Sequence, residues 1–354
     1  MIEFLHKTRI LSHERRIMSE RKPRLTLLCG LSASGKSQHT SIVANNRNSE
    51  CIILSTDAIR ANICGSVEDQ SKNKEVFQTF HSLIVKYLKN GIDVVAEATN
   101  ITMKSRRAIL NVIKGIDCEK VCVVIVKPIN ECKKDNIDRE HPVPGYVIDK
   151  QARKFQIPFL EEGWDKIEFV DHITDINRYI FKIENKWVPE VYNDFDQKNP
   201  YHLESLGKHM TDAYYFVKNH GLHKNKDYEM IIATKYHDMG KLYTQTFDEN
   251  GVAHYYGHEN IGAYMMLVYE VANQHSLFVN HNIGDIAFYI NYHMLPFQWK
   301  PNGTKTETKW AKRFGAKKYH NLWDMHIADL IASKRKDKDV RTEIFKNRGC
   351  DNDS

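Results

Sequence analysis

Between residues 24 and 171 the chain alternates short apolar runs with longer segments of mixed polarity. The runs "LTLLC" (25–29), "CIILST" (51–56), "DVVAEAT" (93–99), "VCVVIV" (121–126) and "KIEFV" (166–170) are expected strands. The segment "VFQTFHSLIVKYLK" (76–89) represents the helices expected between them. Strands rich in β-branched residues and joined by helical connections predict a parallel sheet covered on both faces, an α/β fold. From Tyr201 that alternation gives way to apolar residues at three-to-four spacing. The segments "HLESLGKHMTDAYYFVKNHG", "DYEMIIATKYHDMG", "NIGAYMMLVYEVANQ", "NIGDIAFYINYH" and "WDMHIADLIASKRK" predict an all-helical second half, with Gly or Asn as frequent stops. Between the halves, "NKWVPEVYNDFDQKNP" (185–200) is polar, aromatic and interrupted by two prolines, as a linker would be. The expected organisation is a basic leader at 1–23, an α/β domain at 24–171, a linker at 172–200, a helical domain at 201–340 and a tail at 341–354.

A length of 354 residues fits two domains, and 42% hydrophobic with 27% charged residues fits a folded, soluble chain. No apolar run approaches the length of a membrane span, so no membrane partner is expected. The first 25 residues lack the apolar core and cleavage site of a secretory signal, and Met18 is a second possible start. Seven cysteines (29, 51, 64, 118, 122, 132 and 350) include no C-x-x-C pair, and Cys29, Cys51 and Cys122 fall in or beside apolar strands. This usage predicts reduced thiols, a cytoplasmic location and no thiolate metal site. The net charge is +6, and from Lys300 to Arg341 twelve Lys/Arg face five Asp/Glu, which suits a polyanionic partner.

"GLSASGKS" (30–37) follows the first strand and fits G-x-x-x-x-G-K-[ST]. Small residues (Gly30, Ser32, Ser34, Gly35) let successive N–H groups curl around phosphate at a helix N-terminus. Lys36 reaches the β and γ oxygens of ATP, and Ser37 offers a hydroxyl to Mg²⁺. The second strand leads into Asp57 and Arg60, on the side of the sheet where the cradle opens. A carboxylate there can take the proton of an attacking hydroxyl, and the arginine can hold an acceptor phosphate; Asp57 is also placed to cap a helix. Thr99 and Asn100 are expected beside the cradle, with Arg106 and Arg107 as either substrate contacts or solvated surface. After the fourth strand, "ECKKDNIDREHPVP" puts Lys133, Lys134 and Arg139 on an expected lid.

The cradle, D-x-x-R at 57–60, "EATN" at 97–100 and the lid arginine before V-P resemble the P-loop polynucleotide 5′-hydroxyl kinases of phage and RNA-repair systems. The resemblance covers 24–171, with Glu97 where those kinases usually have Asp. It implies that Asp57 is the general base, that Arg60 binds the acceptor phosphate and that Arg139 is the lid residue.

Twelve of the eighteen histidines fall between 202 and 326, which concentrates candidate ligands in the helical half. His209, the pair His237–Asp238, His258, His293 and Asp329 are expected on five separate helices, the pair within its helix. No two of them are at i, i+4 spacing, so ligands would have to converge across a bundle. Imidazole and carboxylate without thiolate suit one or two divalent ions of Mn, Fe, Co, Ni or Zn. The ordered set H…HD…H…H…D, with Gly240 and Lys241 after the pair, resembles the HD superfamily of metal-dependent phosphohydrolases. "NPYHLESLGKHM", "YHDMGK", "YYGHENIGA", "YHM" and "IADL" carry that resemblance over about 196–335. It implies that His209, His237, Asp238, His258, His293 and Asp329 are ligands, with Lys241 beside the reacting phosphate. His202, Asp324 and His326 fall off the pattern.

A kinase and a phosphohydrolase acting on one small molecule would undo each other; on opposite ends of a broken RNA they are complementary. The expected function is end healing of RNA (or DNA): phosphorylation of 5′-OH ends and removal of 2′,3′-cyclic phosphate or 3′-phosphate. No K-x-D-G signature is present, so a separate RNA ligase would seal the ends. Two alternatives stay open: a nucleoside or small-metabolite kinase fused to a nucleotide phosphohydrolase, and a non-catalytic RNA-binding sensor of nucleotide and metal.

Overall fold

The computed structural model describes residues 21–45, 50–174, 190–200, 202–220, 227–274, 283–299 and 304–333. Most of the leader with Met18, linker residues 175–189, the tail with Cys350, and the basic positions Lys300 and 334–341 lie outside the described residues.

Strands β1 (Arg24–Cys29), β2 (Cys51–Ser55), β3 (Asp93–Glu97), β4 (Glu119–Val126) and β5 (Lys166–Asp171) form one sheet in the order β2-β3-β1-β4-β5. Every neighbouring pair is parallel. Helices α1 (Lys36–Asn45), α2 (Thr56–Cys64), α3 (Asn73–Lys89), α4 (Met103–Val112), α5 (Ile129–Ile137) and α6 (Gly145–Ala152) make the connections. Central strands are apolar at nearly every position because both faces are covered: Leu25, Leu27, Leu28, Val123, Val124 and Ile125 are all buried. Cys29, Cys118, Cys122 and Cys132 are buried, whereas Cys51 is half-buried.

The second half is helical: α7 (Glu190–Asn193), α8 (Leu206–His220), α9 (Tyr228–Tyr236), α10 (His258–Gln274), α11 (Asp285–Tyr292), α12 (Thr304–Phe314) and α13 (Ala316–Ala332). Two features depart from expectation. A two-stranded hairpin, β6 (Thr246–Phe247) with β7 (Ala253–His254), interrupts the helices. The α9 helix also stops at Tyr236, so His237 and Asp238 sit in the break before a 3-10 turn over Met239–Tyr243. Gly240 explains that break: a Cβ there would lie 2.0 Å from the His258 carbonyl oxygen, so this turn is pressed against the start of α10.

The two halves share one apolar core. Phe159 packs its ring edge-on against Phe288, Tyr292 and Phe314. Asn291 accepts from the Ile157 N–H (2.8 Å) and donates to the Phe155 carbonyl (3.0 Å). The Tyr292 hydroxyl donates to the Ile157 carbonyl (3.1 Å), and the Tyr264 hydroxyl donates to that of Lys127 (2.8 Å). No helix among the described residues is long and apolar enough to cross a membrane.

Candidate active sites

The loop between β1 and α1 is built for close approach. Gly30 leaves no room for a Cβ, which would lie 2.7 Å from Ser34 Oγ and 2.9 Å from the Ile125 carbonyl oxygen. Ala33 and Gly35 adopt left-handed backbone angles (φ 60° and 99°), turning the chain so that its N–H groups line a concavity. A Cβ on Gly35 would also strike His172, which follows β5. The Gly30 N–H is anchored on the Thr99 carbonyl (2.9 Å). Lys36 Nζ donates to the carbonyls of Gly30 (3.2 Å) and Leu31 (2.6 Å) across the loop. Burial pulls the Lys36 ammonium down to about 8, with Glu97 and Cys132 opposing and the nearby Arg139 assisting.

Arg139 is exposed just beyond α5, on the hairpin that continues into α6. That hairpin touches the cradle, since Gln151 accepts from Ser32 N–H (2.8 Å) and donates to Ser32 Oγ (2.9 Å). Lys133 pairs with Asp149 within the hairpin; Lys134 is exposed. Ser37 Oγ donates to Glu97 Oε1 (2.5 Å), and Thr40 Oγ1 to Glu97 Oε2 (3.3 Å). A hydroxyl beside a carboxylate at the mouth of a phosphate loop suits Mg²⁺. Glu97, which was not among the expected ligands, thus joins Ser37 as a candidate for holding Mg²⁺; its position at the end of β3, the strand next to the cradle, is the sequence signal for it.

Asp57 lies in the first turn of α2, whose cap is Ser55 rather than Asp57. Its carboxylate is mostly exposed and accepts from Arg60 Nη1 (2.8 Å), while Arg60 is buried and also donates to Asn73. Asn100, at φ 47°, commits its amide N–H to the Leu28 carbonyl (2.8 Å) and is buried, so that donor braces β1. Arg106 is not a substrate contact: it is fully buried, forks onto Glu162 (2.9 and 2.5 Å) and donates to the carbonyls of Asn100 and Gln156.

In the helical half the break after α9 brings five elements together. Asp238 Oδ2 is 3.3 Å from His209 Nε2 and 3.4 Å from His237 Nε2, and Asp329 Oδ1 lies 3.1 Å from His209 Nε2. On the other side, Asp238 Oδ1 is 3.1 Å from His258 Nε2 and 3.6 Å from His293 Nε2. His237, His258 and His293 direct Nδ1 at the carbonyls of Thr234, Tyr255 and Ile290 (2.7–2.8 Å). That contact places a proton on Nδ1 and turns Nε2 inward, where it offers a lone pair to a cation or, as on His237 between two carboxylates, holds a second proton. His258 Nε2 and His293 Nε2 thus bring two such lone pairs together at 3.3 Å, and His209 Nε2, whose own Nδ1 lacks a partner, meets His237 Nε2 at 3.2 Å. Facing lone pairs repel unless a proton or a cation lies between them, and the donor chemistry fits divalent metal on each side of Asp238.

Burial would raise the Asp238 carboxyl, but Lys241 and His237 hold it well below the ordinary range. Burial would likewise lower His237, yet Asp238 and Asp329 lift it to about 10. Lys241 Nζ contacts Asp238 Oδ2 (2.6 Å), Gln197 Oε1 (2.9 Å) and His202 Nε2 (3.2 Å) and lies 5.4 Å over the Tyr255 ring. His202, excluded by its spacing in the sequence, therefore joins the group formed with His209, Asp238 and Asp329. Burial and the neighbouring Lys241 push it down to about 3, keeping the imidazole neutral. Gln197, lying in the expected linker, carried no sequence signal at all.

Residues 25–158 match the model of an AAA domain family, AAA_33. The chain is 29% identical over 172 residues to the L-seryl-tRNA(Sec) kinase of Methanococcus maripaludis, covering 46% of this chain and 67% of that protein. Among solved structures, a chain of the Pnkp1/Rnl/Hen1 RNA repair complex aligns with 19% identity and a TM-score of 0.34, over 37% of this chain and 43% of that one. The APS kinase of Mycobacterium tuberculosis aligns with 16% identity and a TM-score of 0.33, over 42% and 88% respectively. The chain thus spans under half of the repair-complex chain. Its N-terminal half is a P-loop domain of the kinase class, and the rest of what is described is mainly helical.

Proposed function

We propose that the chain heals nucleic-acid ends, with ATP-dependent phosphorylation of 5′-hydroxyls in the P-loop half and metal-dependent removal of 2′,3′-cyclic or 3′-phosphate in the helical half. The observation that carries the second activity is Asp238, whose two oxygens divide inward-facing imidazoles into two groups. In the P-loop half, Asp57 accepts the proton of the attacking hydroxyl, Arg60 holds that carboxylate in place and Lys36 binds the transferred phosphate. Arg139 on the hairpin neutralises charge as the phosphoryl group moves. Ser37 and Glu97 would hold Mg²⁺ against the phosphates. In the helical half, His209, His237, Asp238, His258, His293 and Asp329 would hold divalent ions, which supply Lewis-acid activation of water and of the phosphate. Lys241 stands next to Asp238 and offers its ammonium to a phosphate oxygen. A relative named as a kinase of seryl-tRNA favours an acceptor carried on RNA.

The test offers the full chain one RNA bearing a 5′-OH and a 2′,3′-cyclic phosphate, with ATP, Mg²⁺ and a transition metal. Asp57→Ala should reduce 5′ labelling about 100-fold or more and spare the 3′ reaction. Asp238→Ala, or chelation of the transition metal with Mg²⁺ restored, should do the reverse. Loss of both reactions in either variant would contradict two separate sites. Turnover of free nucleosides but not of RNA would replace the polynucleotide reading with a small-acceptor kinase.

A further inference from the structure

Three large aromatic side chains stand in solvent around the β6–β7 hairpin: Tyr256 is 73% exposed, Tyr243 55% and Phe247 52%. Rings left singly in water need no explanation, but rings gathered on one surface mark a binding face. Here the contacts gather them. Phe247 is paired with Ala253 and Thr246 with His254 across the hairpin. The His254 ring lies parallel to that of Tyr256 (3° between planes, 5.5 Å between centres) and is steadied by Asp248 Oδ2 at 3.2 Å. At its exposure, the face of Tyr256 turned away from His254 is open. Arg153, just beyond α6, donates to the carbonyls of Tyr256 (3.2 Å) and Tyr243 (3.5 Å), so one guanidinium joins both tyrosines.

The segment before α8 ties this surface to the candidate metal centre. Gln197 Oε1 accepts from Lys241 Nζ (2.9 Å). The next residue, Lys198, accepts the Ala253 N–H on its carbonyl (2.9 Å) and lays its ammonium 5.7 Å from the centre of the Phe247 ring. Lys198 holds a left-handed φ of 45°, which a residue with a side chain adopts at a cost and which recurs where ligands are held. Tyr255 completes the tie: its ring centre is 5.4 Å from Lys241 Nζ and its hydroxyl donates to the Gln197 carbonyl (2.5 Å). Tyr256 follows one Cα step, about 3.8 Å, further on. Lys198 is exposed and Arg153 half-buried, and neither has an acidic partner among the described residues.

An open aromatic face beside uncommitted cations is the surface on which single-stranded nucleic acid rests, its bases on the rings and its phosphates on the charges. We infer that Tyr256 is a nucleobase platform for the strand end brought to Lys241, stacking the terminal base on its open face while Lys198 meets a backbone phosphate. The inference rests on the proposed removal of phosphate from nucleic-acid ends in the helical half. The two cations favour a polyanion over an apolar partner on this face. Every base has a π-face, so the platform would select an unpaired end and not a particular sequence.

The experiment measures binding of an RNA trinucleotide 3′-phosphate, its last base 2-aminopurine, to the full chain without ATP or added transition metal. The fluorescence of that base should fall on binding, because it stacks on an aromatic ring. Tyr256→Ala should abolish the quenching and weaken binding about tenfold, whereas Tyr256→Phe should retain both. With an abasic site in place of the last base, the difference in affinity between parent and Tyr256→Ala should disappear. Lys198→Gln should flatten the slope of log K against log salt by about 0.7, one phosphate contact on a single strand. Unchanged quenching and affinity in Tyr256→Ala would overturn the platform and leave the end-healing reading intact. Equal losses for base-bearing and abasic strands in that variant, with a lowered melting temperature, would assign Tyr256 to the fold and overturn the platform too. A parent that sediments as a dimer, broken by Tyr256→Ala and giving no quenching, would assign the face to a second copy. No binding of either strand by a monomeric parent would remove the polynucleotide reading and the platform together.

Discussion

Gly240 marks how little space the candidate metal centre leaves around it. A Cβ at this position would meet the His258 carbonyl oxygen at 2.0 Å and the Gly262 nitrogen at 2.7 Å, both backbone atoms that cannot rotate aside. Gly240→Ala must therefore displace the first turn of α10, and with it His258, away from Asp238 Oδ1. Overpacking of this kind costs about 1–3 kcal/mol. The expected outcome is a lower melting temperature together with loss of metal from the His258–His293 side, read as metal content per chain after dialysis. Full metal content with full stability would show that the turn is looser than its geometry implies. The sequence held the residues of this centre more readily than their neighbours. His209, His237, Asp238, His258, His293 and Asp329 stood out because an imidazole and carboxylate set recurs along one half of the chain. His202 and Gln197 converge on Lys241 only through the path of the chain before α8, and a path of that kind has no spacing to read.

Asp227 performs a comparable task for a helix end. It caps α9, accepting from the Met230 N–H at 2.9 Å. The same carboxylate takes Asn321 of α13 (3.0 Å) and the Tyr289 hydroxyl of α11 (3.4 Å) and pairs with Lys317. Burial would raise this carboxyl, but Lys317 and the Met230 N–H outweigh it and hold it below 3.8. A folded-state value below the unfolded one means that the contribution is present above pH about 4 and is lost as pH falls through the folded value. Asp227→Asn keeps a capping oxygen and removes the charge. It should cost about 1–2 kcal/mol at pH 7, a deficit against wild type that shrinks in acid below pH 4. A deficit constant with pH would assign the cost to shape rather than charge. Most elements were readable in advance because one signal dominates each: apolar strands in a covered sheet, three-to-four spacing in the bundle. The β6–β7 hairpin is one exception, and α9 is another. "DYEMIIATKYHDMG" carries one uninterrupted helical pattern, yet the helix ends at Tyr236, because close packing of Gly240 on α10 overrides local preference.

The joint between the halves could not be read from the chain at all. Asn291 and Tyr292 lie in one predicted helix among several, and Phe155, which Asn291 contacts, is 136 positions away. In the folded chain Asn291 satisfies the Ile157 N–H and the Phe155 carbonyl while also donating to the Asn260 side-chain oxygen, and the Tyr292 hydroxyl donates to the Ile157 carbonyl. Those groups are buried, so removing the Asn291 amide leaves polar atoms without partners at about 1–3 kcal/mol each. Domains joined by a small polar contact move and melt separately; a shared apolar core makes them unfold together. Asn291→Ala should accordingly lower the protection of the slowest-exchanging amides in β1 and β4 as much as in α10 and α11, by the same free energy, measured by native-state hydrogen exchange. Heating should give one transition whose calorimetric and van't Hoff enthalpies agree. If the variant loosened only α10 and α11 and left the sheet untouched, the halves would be independent units.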